Sequence, residues 1–153
     1  MSDEMAFGAN ARYEDAGKLV LRLTLGGLML FHGFAKLTGG IDFIFAVVAK
    51  AGLPSFVAYG VYVGEVLAPA LLIAGWYSRA AATIIAVNIM FALGLVHTPE
   101  LFKLGDSGGW ALELQGMFLF TAVALALLGP GQFSIDRRRA PTSFRAAMYQ
   151  AGE

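Results

Sequence analysis

Seven polar side chains stand inside long apolar runs of the 153-residue sequence: His32, Lys36, Glu65, Asn88, His97, Glu113 and Gln115. A histidine titrating near neutrality beside a desolvated carboxylate is suited to passing protons. His32 and Glu65 are therefore the expected catalytic pair. Lys36, Asn88, His97 and Glu113 are the expected ligand-binding groups around them. The competing reading is a buried polar clamp that only fixes helix register.

Three ligand chemistries fit these residue types to different degrees. A haem would need axial histidines at matching depth, but His32 and His97 are offset by about one to two turns. A metal could use His32, His97, Glu65 and Glu113, yet no local Glu-x-x-His spacing ties them together. A quinone-type ligand fits best, because it needs an apolar pocket with a few groups that bind carbonyl oxygens and move protons. Phe31, Phe34, Tyr59, Tyr62, Phe91 and Trp110 are the expected wall. With no cysteine in the chain, thiol catalysis, disulfides and thiolate-held clusters are excluded.

The elements that carry these residues are membrane helices. The chain is 58% hydrophobic and 14% charged, with a mean hydropathy of +0.66. A soluble domain carries about 45–50% apolar and about 25% charged residues. Four runs approach the roughly 20 residues that cross a bilayer, at about 17–38, 56–76, 79–98 and 110–129. They do not alternate as barrel strands do. The expected fold is an all-α four-helix membrane bundle, residues 17–136, between tails 1–16 and 137–153. The N-terminal tail has no secretory signal pattern, so the first span is read as an uncleaved signal.

Eight Lys and Arg residues fall on the side of both tails and only Lys36, Lys50 and Lys103 on the other, which places both termini in the cytoplasm. Arg22 then lies near the inner end, where its long stem lets it snorkel. Between the first two spans, 41–50 reads as a short interfacial helix stopped by Gly52 and Pro54. In the C-terminal tail, Phe144 and Met148 share a helix face that can rest on headgroups.

Small residues mark the packing faces: Gly26 and Gly33 on the first span, Gly60 and Gly64 on the second, the latter pair a candidate contact with a larger complex. Pro69 should bend the second span and open space near its middle. On the first span Arg22, Gly26, Met29, His32, Gly33 and Lys36 form one stripe. Glu65 falls roughly 13 Å below the outer boundary, within about one turn of His32 in depth, so the two are expected to bond, with Lys36 above. Acids and histidines are confined to the outer half, an asymmetry that snorkelling does not produce.

The segments LRLTLGGLMLFHGFAKL, GLP, GEVLAPALLIAGWYSRAAA, VNIMFALGLVH and GPGQFSID together resemble the DoxX family of small bacterial membrane proteins. The likeness runs from about Lys18 to Asp136. It implies a multi-pass inner-membrane protein of four helices, associated with quinone-linked redox complexes, whose relatives include subunits of a thiosulfate:quinone oxidoreductase. His32, Gly33, Lys36, Glu65, Arg79, Asn88, His97 and Glu113 match the family's recurring polar positions. Expected partners are the bilayer and a larger redox complex or a second copy, without nucleic acid. A non-catalytic assembly subunit and, further off, a small transporter are the alternatives.

Overall fold

A computed structural model describes residues 2–106 and 108–139, with side chains from 12 to 106 and from 108 to 137. The tail residues Phe144, Arg145 and Met148 lie outside the described residues. Among those described, the chain is helical apart from turns and one isolated antiparallel bridge between Leu104 and Trp110. Helix α1 covers Ser2–Gly39 and the short α2 covers Asp42–Lys50. Helix α3 runs Ser55–Ala74, α4 Ser78–Leu95, α5 Glu113–Leu128 and α6 Ile135–Arg139. Three of these, α1, α3 and α4, are long and apolar enough to cross a membrane; α5 is apolar but only 16 residues long.

Local chemistry accounts for where the helices stop. Pro99 begins a 3-10 turn at Thr98–Glu100, so α4 ends at Leu95. Residues 110–112 are drawn into a hairpin, with the Ala111 amide donating to the Lys103 carbonyl, and α5 starts only after it. Helix α3 is irregular inside: a π-segment at Val63–Leu67 precedes the regular turns Ala68–Ala74. The cause is Pro69, which has no N–H to give the carbonyl of Glu65 and whose ring would collide with it in a regular helix. The extra residue of the π-turn relieves that collision, and the Ala68 amide reaches back to Val63.

Leu25, Met29, Leu72, Ile85, Phe118 and Leu125 fill the centre of the bundle. Helices α1 and α3 approach through glycine. A Cβ on Gly26 would strike Ile73, and one on Gly33 would strike the backbone carbonyl of Glu65. Alanines 81, 82, 86 and 122 do the same for α4 and α5. Helix α2, entered and left through Gly40 and Gly52 at φ of +82° and +72°, packs Val48 on Ala58 and Val61 in a second small core.

The end of the bundle where α3 passes into α4 is closed by polar groups. Arg22 does not snorkel: it is 1% exposed. Its Nε donates to Leu72 O at 2.9 Å, Nη2 to Ile73 O at 2.9 Å, and Nη1 to Pro130 O and Phe133 O at 2.8 and 2.9 Å. The last carbonyls of α3 and the loop after α5 need donors there, and a guanidinium fork supplies four at once. Asp136 accepts from the amides of Tyr77 and Ser78, each at 2.8 Å, and caps α4. Tyr77 sits at φ +49°, the one non-glycine in that region among the described residues.

Candidate functional site

At the opposite end, the π-segment of α3 aims Glu65 into the bundle, where the residue is 8% exposed. Because Gly33 lets α1 rest on the Glu65 backbone, Lys36, one turn further along, reaches the carboxylate. Its Nζ donates to Oε2 at 2.5 Å. Asn88 of α4 offers its Nδ2 to Oε1 at 3.5 Å, the outer limit of a hydrogen bond. Asn88 approaches this closely because Gly64 faces it without a side chain; a Cβ there would collide with the amide.

These groups border a cavity of about 590 Å³ between α1, α3, α4, α5 and α2. Its polar lining consists of His32, Lys36, Glu65, Asn88, His97 and Gln115, and the rest is apolar. Helix α2 forms its roof with Phe43, Ile44, Val47 and Val48. The volume falls in the range of small-molecule sites, about 300–1,000 Å³.

The carboxylate pairs with Lys36 rather than with the expected His32. The His32 ring instead lies edge-on against Phe118, centroids 5.8 Å apart at 81°. Among the described residues it makes no hydrogen bond, and it remains exposed at the cavity wall. His97 borders the same cavity but bonds Glu100 on its own turn at 2.8 Å. Glu113 is not part of the lining: as the first residue of α5 it is exposed and lies beside Gly109. Equal depth in the sequence did not imply a common direction.

Of the expected wall aromatics, only Phe91 borders the cavity. Phe31 and Phe34 are exposed, because the Gly26–Gly33 contact turns another face of α1 to the bundle, and the half-exposed Tyr59 of α3 packs edge-on against Phe45 of α2, centroids 5.4 Å apart. Tyr62 packs against the α2 core, and Trp110 folds onto Gly116 while its Nε1 donates to Leu101 O. Gly64 likewise faces inward, so Gly60 and Gly64 do not form an outward packing face. The roof contributed by α2 was not read from sequence. The apolar 41–50 segment was the available signal for the roof.

Among the described residues no three His, Asp or Glu side chains converge as a metal site.

The sequence matches the DoxX family over residues 17–98. It is also similar to a protein of Bacillus subtilis (strain 168) that carries the name "Putative oxidoreductase CatD". The two are 29% identical over 122 residues, 80% of this chain and 86% of the relative. No solved structure matches the chain significantly.

Proposed function

The chain belongs to the DoxX family of membrane proteins, and from that premise we propose that its cavity binds a quinone-type ligand and handles protons there, as a subunit associated with quinone-linked redox chemistry. One observation carries the reading. A buried carboxylate on a π-turn, matched by a lysine and an asparagine, faces an otherwise apolar cavity large enough for a quinone ring. π-turns inside α-helices occur frequently at functional sites. The oxidoreductase name of the Bacillus relative supports the same class.

The donor set suits such a ligand. Lys36 and Asn88 supply N–H donors to a carbonyl oxygen, Glu65 accepts from a hydroxyl, and His32, without a hydrogen bond among the described residues, supplies a proton-exchanging group at the wall. The quinone would supply the electron-accepting chemistry. No thiolate of this chain can hold a redox cluster, since it lacks cysteine, so electrons come from a partner protein or a bound cofactor. The proposal includes four crossings of a bacterial inner membrane with both termini in the cytoplasm, supported by the eight-to-three division of basic residues. It also includes assembly with a larger redox complex or a second copy.

Equilibrium binding of decylubiquinone to protein in nanodiscs tests the reading. Loss of one hydrogen bond to a charged group should weaken binding about tenfold or more in Glu65→Gln. His32→Ala should weaken it less. Saturable binding unchanged in both variants, or absent from the wild type, sinks the proposal. Glu65→Gln lowering only the melting temperature would mark the cluster as a clamp of an assembly subunit.

A further inference from the structure

We propose that the cavity is loaded sideways from the hydrocarbon of the bilayer, through the cleft between α3 and α4 beside Gly60, and that its ligands are uncharged, membrane-dissolved amphipaths. This deepens the preceding reading and rests on the cavity being a ligand site. Close contacts hold the other three seams of the bundle together over part of their length. Glycines 26 and 33 bring α1 onto α3. Alanines 81, 82 and 122, each at most 1% exposed, join α4 to α5 in the half of the bundle away from the cavity. At the level of the cavity the seam between α1 and α5 is filled by the His32 and Phe118 rings.

The fourth seam differs along its length. Helices α3 and α4 touch where Gly64 meets Asn88. One turn further toward α2, a Cβ on Gly60 would meet nothing within 4 Å, so the helices have parted. Gly60, Val63 and Phe91 border the cavity and are also exposed, the last two at 42% and 52%. The lip is therefore apolar. At the end of the bundle α2 lies across the cavity, with Val48 only 2% exposed and packed on Ala58 and Val61. Lys36 and Glu65 cancel each other's charge, so the interior offers no net attraction to an ion that has crossed that lip. Inorganic oxyanions are thereby disfavoured and neutral carbonyl or hydroxyl compounds admitted.

Because the chain has no cysteine, Ala92→Cys introduces a single thiol into the cavity lining. In proteoliposomes this thiol should react with neutral N-ethylmaleimide. The charged sulfonatoethyl methanethiosulfonate, present on both sides, should label it at about a tenth or less of its rate at a loop control, Asp106→Cys, rates being normalised to the unfolded proteins. Adding Gly60→Phe should slow the maleimide reaction about tenfold, and Gly60→Leu by less. Gly27→Phe, another glycine with open space around it, should leave it unchanged. Equal labelling by the charged reagent, or no effect of either plug in protein that melts normally, overturns the route. Decylubiquinone tests the parent reading separately. If it fails to protect the thiol while the plugs still slow maleimide, the quinone assignment falls and the sideways route stands.

Discussion

Removing the guanidinium of Arg22 should cost more stability than removing any exposed cation of this protein. In Arg22→Met the stem is kept and the fork is lost. Four carbonyls lose their donor; Leu72 O keeps the amide of Gly75 at 3.1 Å, which leaves those of Ile73, Pro130 and Phe133 deprived. Each buried acceptor left without a partner costs about 1–3 kcal/mol. Water admitted at the end of the bundle offsets part of that, so the net loss should be about 3–5 kcal/mol. At about 2–4 °C per kcal/mol for a chain near this length, the melting temperature falls by about 10 °C. Arg22→Lys retains charge but concentrates three donors on one atom. It cannot serve both α3 and the 130–133 loop, so it should recover less than half of the loss. Arg79→Met, an exposed side chain with one bond to Ala126 O, should cost below about 1 kcal/mol. Thermal unfolding in detergent, followed by size-exclusion chromatography, reads all three. An Arg22→Met protein melting within about 2 °C of wild type, or no lower than Arg79→Met, would refute the reasoning.

Two further substitutions probe the positioning of the helices. Gly33→Ala forces a Cβ into the Glu65 carbonyl and Val66; overpacking should cost about 1–3 kcal/mol, whereas Gly27→Ala, with free space around it, should be neutral or stabilising by up to about 1 kcal/mol. The same melting assay separates them, and equal effects would contradict the close approach. Asp136→Ala strips the cap from Tyr77, Ser78 and the Ser78 hydroxyl, an expected loss of about 1–2 kcal/mol. Faster amide exchange confined to the first turn of α4 should accompany it; protection unchanged there would count against the cap.

The apolar helices were legible because run length and hydropathy are properties of single segments. The packing of α1 was legible too, since Gly26 and Gly33 recur at helical spacing on a stripe with Met29. Arg22 was not. An arginine near the end of an apolar run has the same appearance whether it snorkels or turns inward, and the carbonyls that decide the matter come from Pro130 and Phe133, 108 and 111 residues away. Glu113 illustrates a second limit. Counting residues estimates depth along a helix, but direction depends on where the helix begins, and the hairpin ending in the Leu104–Trp110 bridge sets the start of α5. The departure at Pro69 was visible as a break in the helix. Its form, a π-turn that carries Glu65, was not legible, because a proline's collision with the carbonyl four residues back can be relieved by a kink as well as by an extra residue.

The two ends of the bundle treat their buried charges in opposite ways, and the difference argues for where a ligand belongs. Arg22 spends four of its five N–H donors on carbonyls of its own chain, and Gly75 lies so close that a side chain there would strike the guanidinium. Nothing can be added. At the other end, among the described residues, the Glu65 carboxylate has one short bond and one at the outer limit, while the Lys36 ammonium makes a single bond and the His32 ring none. Spare donors and acceptors thus converge at this end, beside a cavity of about 590 Å³. Groups with spare hydrogen-bonding capacity at a cavity wall can pair with a ligand without first giving up a partner in the protein. A neutral molecule bringing both an acceptor for Lys36 and Asn88 and a donor for Glu65 would satisfy that capacity without adding charge to the bilayer.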